Sequence, residues 1–155
     1  ESANKVAAIC KDVSEVLTEM ETSLPVDSPR NLVVAYRSAC SLQHGQKVVR
    51  EPVQLLQAAG YKVLEPKEKH LCCGSAGTYN ILQPEIANQL RERKVSSLED
   101  LKPDVIATGN LGCMAQVSQG TDIPVVHTLE LLDWAAGGPV PAALKERYQE
   151  TAKAG

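Results

Sequence analysis

Four short runs rich in β-branched residues, "NLVVAY" (31–36), "YKVLEP" (61–66), "DVIATGN" (104–110) and "PVVHT" (124–128), are separated by stretches long enough to form helices. Apolar runs without strict alternation suit strands buried on both faces, and helix-length spacers call for crossovers between parallel strands rather than hairpins. The pattern predicts an α/β fold, an open, mostly parallel four-stranded sheet flanked by helices in a doubly wound, Rossmann-like layer with right-handed crossovers. Composition bears on the core. With no Phe and one Trp, the space between helices and sheet must be filled mostly by Val, Leu, Ile and Ala.

The helical stretches follow from apolar spacing. Ile9, Cys10, Val13, Val16, Leu17 and Met20 recur at helical intervals from Val6 onward and predict one amphipathic helix over 3–21, with Cys10 as a small buried hydrophobe on its stripe. A Pro-containing linker, "LPVDSP" (24–29), comes next. Pro52 fits the first turn of a helix that turns Leu55, Leu56 and Ala59 inward and stops at Gly60. Pro84 can open another, with Ile86, Leu90 and Leu98 on its inner face and its end before Pro103. Further helical segments are expected at 112–119, 128–136 and 141–153. The 155 residues fit one domain, 1–155, with a helix and linker over 1–30 and an α/β core over 31–155. A first residue other than Met suggests a piece excised from a longer subunit.

Charge and cysteine content narrow the function. The net charge is -3 with Lys and Arg scattered along the chain, which leaves no basic stripe for a nucleic-acid backbone. No apolar run reaches the roughly 18 residues of a membrane-spanning helix, and the opening residues lack the pattern of a secretory signal, so a cytoplasmic location is expected. Five cysteines are an odd number, spaced unlike a secreted disulfide scaffold. Free thiols or metal ligands fit better.

Four of those cysteines fall just past predicted strand ends, where an open α/β sheet binds its ligands. Cys40 follows "NLVVAY", Cys72 and Cys73 follow "YKVLEP" across a short charged loop, and Cys113 follows "DVIATGN". In "HLCCGSAGTYN" (70–80) adjacent thiols can reach one centre only if the chain turns sharply beside them, which Gly74 and Gly77 permit. Amides around Gly74 and Ser75 can point at thiolate or sulfide sulfurs and ease concentrated negative charge. An iron-sulfur centre is one outcome. A four-thiolate zinc site, a vicinal disulfide and ordinary buried thiols satisfy the same residues. "GSAGT" lacks the Lys-Ser/Thr ending of a phosphate loop. His44, His70 and His127 have surface, capping or core roles open to them, His127 as a helix start, and Arg91, Arg93 and Lys94 read as a solvated helix face with partner docking as the alternative.

"ACSLQHGQ", "HLCCGSAGTYNILQPEIANQLRERK", "GNLGCMAQ" and "TDIPVVHTLELLDWA" together resemble the CCG, or cysteine-rich, domain, most closely the carboxyl-terminal module of glycolate oxidase iron-sulfur subunits. The resemblance covers nearly all of the chain after residue 31. It implies that Cys40, Cys72, Cys73 and Cys113 ligate a metal centre, most simply a 4Fe-4S cluster, with zinc the alternative. It further implies that flavin resides on partner flavoprotein subunits, that the rest of the iron-sulfur subunit is a second partner, and that such a complex sits in the cytoplasm or peripherally at the inner face of the membrane. The role implied is electron transfer during oxidation of glycolate or another 2-hydroxy acid, with no catalysis expected of the isolated domain. A thiol/disulfide role of the heterodisulfide reductase kind is the other reading. Two positions depart from the family pattern. Gln116 stands where the motif's final cysteine would be, and Arg37 replaces a histidine before the first cysteine, leaving Arg37 either beside an anionic centre or solvated at a strand end.

Overall fold

A computed structural model describes residues 2–20, 31–146 and 148. The linker expected at 24–29, and residues 147 and 149–153 of the helix expected at 141–153, lie outside the described residues. In chain order the elements are α1 (Ser2–Ile9), α2 (Val13–Glu19), β1 (Val33–Tyr36), a π-helical segment (Ser41–Gln46), α3 (Glu51–Ala58), β2 (Lys62–Leu64), α4 (Tyr79–Leu82), α5 (Pro84–Glu99), β3 (Val105–Thr108), α6 (Leu111–Ser118), β4 (Val125–His127), α7 (Thr128–Ala135) and a 3-10 turn (Ala142–Leu144). All four expected strands form, each shorter than its apolar run. They make one parallel sheet in the order β2-β1-β3-β4. Val34 of β1 lies opposite both Val63 and Val105, and Ile106 of β3 opposite Val125.

Side-chain alternation along β1 and β3 splits the core in two. Val34, Tyr36, Val105 and Ala107 face a cluster with Leu55, Leu56 and Ala59 around α3 and Leu131, Leu132 and Trp134 of α7. Ala35 and Ile106 face the opposite way, against Val95 and Leu98 of α5, Val117 of α6, and Cys73 and Cys113. Helices therefore cover both sheet faces, as a parallel sheet with apolar strands requires. The Tyr61 hydroxyl donates to the Leu131 carbonyl at 2.8 Å, tying the start of β2 to α7.

Two helical expectations need correction. The helix expected over 3–21 is broken, because Asp12 caps a new helix: its carboxylate accepts from the Ser14 amide at 2.9 Å while Glu15 accepts from the Asp12 amide at 2.7 Å. This reciprocal capping box offers the backbone a fresh start. α1 buries nothing, Cys10 is exposed rather than buried, and Leu17 is the apolar residue of the stripe that packs on the core. On α5, Ile86 is 47% exposed, whereas Ala87, Lys94, Val95 and Leu98 are buried. The inner face is rotated from the expected one because α4 and the cysteine bend, not the sheet, meet the first turn of α5.

Leu56 is fully buried between α3 and the sheet. Leu56→Ala should cost about 2–5 kcal/mol of unfolding free energy, read from urea titrations. A cost below about 1 kcal/mol would contradict this packing.

Candidate metal centre

The four expected cysteines meet at the carboxyl edge of the sheet. Cys40, Cys72, Cys73 and Cys113 line one cavity of about 220 Å³ together with Arg37, Ser41, Ser75, Ala76, Gly77 and Asn110. That space far exceeds the ~10–15 Å³ a single water requires. The crevice lies beyond β1 and β3, where the strand order reverses, the place an open α/β sheet reserves for ligands.

Each side chain reaches the cavity for a local reason. Arg37 directly follows β1, and its amide continues the ladder by donating to the Ala107 carbonyl at 2.8 Å. Cys40 caps the π-helical segment, whose wide turn ends at Lys47 with φ 62°. Cys113 sits in the first turn of α6, where the Asn110 side chain caps the helix by accepting from the Cys113 amide at 3.0 Å. Cys72 and Cys73 arrive on a loop that bends at Gly74, φ +90°. A Cβ on Gly74 would fall 2.3 Å from the Ala87 carbonyl oxygen, so the bend lies directly against α5.

The charge pattern is unusual for an interior. Arg37, 2% exposed, donates one guanidinium N–H to Cys113 Sγ at 2.8 Å and another to Cys40 Sγ at 3.5 Å. Its Nε is buried without a partner among the described groups. Electrostatically the sulfurs fall into two sets, Cys73 with Cys113 and Cys72 with Cys40, and the guanidinium touches one sulfur of each. Burial works against the Arg37 charge, yet the neighbouring Cys113, Cys73 and Cys40 outweigh it and hold its pKa above the ordinary value. The hydrogen bond from Cys113, with Arg37 and the Ser75 amide assisting against burial, brings Cys73 down to about 5. Its partner Cys113 is pushed up by that same bond and by burial. The pair therefore shares one proton. Burial raises Cys72, opposed by the Gly74 amide, which donates to its Sγ at 3.3 Å.

Among the described residues no group of three or more His, Cys, Asp or Glu is arranged to hold a metal ion. The guanidinium stands between the sulfur pairs, so the four thiols surround a space rather than a point. A larger group held from several sides by thiolates fits the donor set, the cavity and the buried cation.

Other candidates fall away from the cavity. His44 and His70 are exposed and do not line it. His127 is a helix start, its Nδ1 accepting from the Leu129 amide at 3.2 Å. Gln116 is buried but does not line the cavity: its amide donates to the Ala87 carbonyl and accepts from Asn80, both at 3.4 Å. The solvated face expected of Arg91, Arg93 and Lys94 does not hold throughout. Arg93 is exposed and paired with Glu68, Arg91 reaches Gln119 at 3.5 Å, and Lys94 is fully buried.

Fold and site together define a class, a cysteine-rich α/β domain carrying its thiols at the switch point of a parallel sheet. The CCG cysteine-rich domain model matches residues 34–118, more than half of the chain, and the chain belongs to that family. The glycolate oxidase iron-sulfur subunit of Escherichia coli (strain K12) is 35% identical over 136 residues, 87% of this chain and 33% of that protein. A probable glycolate oxidase iron-sulfur subunit of Bacillus subtilis (strain 168) is 33% identical, covering 82% of this chain and 31% of its own length. A component of the fumarate reductase (CoM/CoB) from Methanothermobacter marburgensis is 31% identical over 80% of this chain and 27% of its own length. The chain thus spans about a third of the length of the first two of these relatives.

Two measurements test this geometry. Gly74→Ala must push the bend off α5 and should abolish metal uptake while lowering stability by more than about 1 kcal/mol. Gly77→Ala, with φ +59° and nothing within 4 Å of the new Cβ, should cost no more than about 1–2 kcal/mol and leave uptake intact. Equal effects would place the strain elsewhere.

The shared proton gives a pH signature to reduced, metal-free protein. Between about pH 5 and the ordinary thiol range near ~8.5, the unfolded pair binds two protons and the folded pair one. Stability should rise with pH across that window, by at most ~1.4 kcal/mol per unit, and fall above it, where the unfolded chain loses both. Urea midpoints at several pH values read the trend, and Cys73→Ser should flatten it. A rise that survives in the variant would assign it to another group.

Proposed function

We propose that this domain holds a 4Fe-4S cluster on Cys40, Cys72, Cys73 and Cys113 and serves as an electron-transfer module. The observation that carries this reading is the four thiols facing one roomy cavity around a buried guanidinium, a donor set suited to an anionic, multi-atom centre. The names of its relatives, iron-sulfur subunits of glycolate oxidase, support the same cofactor class. When bound, such a cluster supplies reversible one-electron transfer. The chain's own residues do the rest: thiolates hold the centre, Arg37 offsets their charge, and the amides of Gly74 and Ser75 point at Cys72 and Cys73.

In the fuller proposal residues 1–155 are one domain of a longer iron-sulfur subunit, working beside flavoprotein partners that oxidise glycolate or a similar 2-hydroxy acid. The domain itself carries no catalytic residue. No helix among the described residues is long and apolar enough to cross a membrane, so a cytoplasmic complex, held at the inner membrane face through its partners, suits this reading. The low-pKa Cys73 beside Cys113 favours one second reading, thiol/disulfide chemistry in metal-free protein.

Anaerobic reconstitution decides between them. About four irons and four acid-labile sulfides per chain, with a brown chromophore lost or weakened in Cys73→Ser, are expected. One zinc and no iron would turn the assignment to a structural site. No metal in either protein would leave the thiol reading.

A further inference from the structure

Lys94 lies on α5 with no exposed surface at all, although Arg93 beside it reaches solvent. Its ammonium donates to the backbone carbonyl of Glu68 at 2.6 Å, while the Arg93 guanidinium holds the Glu68 carboxylate, Nε to Oε2 at 2.9 Å. Helix α5 therefore grips one loop residue by its main chain and its side chain, and that loop leads straight into Cys72 and Cys73. Electrostatically Lys94 belongs to the same interior as the thiols. Burial, joined by Arg37, holds its pKa below the ordinary lysine value, with Cys40, Cys73 and Glu68 opposing in part.

Arg37 and Lys94 are the charged residues in the described interior, and no buried Asp or Glu accompanies them. Two buried cations without an anion are strongly unfavourable. Two cavity thiols, Cys40 and Cys73, act on both cations, and Glu68 acts on Lys94 as well. We propose that Lys94 is a positioning residue and second counter-cation of the thiol centre: it fixes the loop that delivers Cys72 and Cys73, and with Arg37 it biases the cavity toward a thiolate-held group of net negative charge. The positioning half stands on the contacts of Lys94 and Arg93 with Glu68. The charge half rests on the cluster reading above.

Three variants of the full chain separate these roles. Lys94→Met removes charge and donor, Lys94→Gln removes charge and keeps an N–H, and Lys94→Arg keeps both. In metal-free protein, amide exchange over residues 66–75 should rise roughly tenfold in Lys94→Met and less in Lys94→Gln, with β4 and α7 unchanged. After reconstitution, Lys94→Met and Lys94→Gln should bind wild-type amounts of iron at a more negative midpoint potential, and Lys94→Arg should keep the wild-type potential. If Lys94→Met does not fold, the Gln and Arg variants carry the comparison. Unchanged exchange in the neutral variants overturns the positioning role. Normal iron with unchanged potential overturns the counter-cation role alone. A wild-type chain that takes up no iron overturns the cluster reading and the charge half with it, while the exchange result still decides the positioning half.

Discussion

The buried guanidinium of Arg37 is the interaction around which the site is organised. A guanidinium cannot relieve burial by shedding its proton, as a lysine or histidine can. Its N–H groups go to the sulfurs of Cys113 and Cys40, and the negative charge the interior supplies falls on Cys73, which Arg37 helps hold below the ordinary thiol range. The Cys73–Cys113 pair answers by keeping one proton between two sulfurs. The cation is also fixed at its root: its own amide extends the pairing of β1 with β3. Because β1 lies between β2 and β3, its end is held by a bonded strand on each side.

Sheet topology turns that fixed cation into a meeting point. With β1 and β3 adjacent and β2 and β4 outside them, the chain leaves the two central strands toward opposite flanks and opens a crevice between. The π-helical segment brings Cys40 to one wall, and the capped start of α6 brings Cys113 to the other. The cysteine pair comes from farther away, off the edge strand β2, and needs the contact of its bend with α5 to close the circle. The two sheet faces consequently differ in kind. The α3/α7 side is packed with apolar side chains, whereas the α5/α6 side admits Cys73, Cys113, Lys94 and Gln116. Burial of apolar area on the first side offsets the cost of burying polar groups on the second.

Strands and thiols were legible in the sequence because both signals are local. A β-branched run reads as a strand without knowledge of its neighbours, and a cysteine just past such a run falls at the sheet edge by topology alone. Facts that depend on what packs against what were not legible. "DVSE" carries a capping signal at Asp12 and Glu15, yet the continuous apolar stripe outweighed it in predicting one helix over 3–21. Cys10 follows α1, a helix that buries none of its residues, and is itself exposed. Ile86 and Lys94 exchange their expected places because α5 meets the cysteine loop as well as the sheet. A lysine within "RERK" gives no hint that a carbonyl from a distant loop waits to accept its N–H.

The missing fifth motif cysteine follows from the same packing. Gln116 stands one helical turn beyond Cys113, and its amide joins α4, α5 and α6 by bonding Asn80 and the Ala87 carbonyl. That carbonyl is the atom a side chain on Gly74 would strike. Gln116 and Gly74 thus converge on Ala87, one bonding it and the other leaving room for it, and together they seat the cysteine bend on α5. A thiol at 116 would be shorter and a weaker donor. It would leave Ala87 and Asn80 without these partners, at the cost that buried unpaired polar groups carry. Four thiols around the cavity and a glutamine behind it are therefore one structural arrangement: the side chain at the position of the motif's last cysteine braces the bend that carries Cys72 and Cys73.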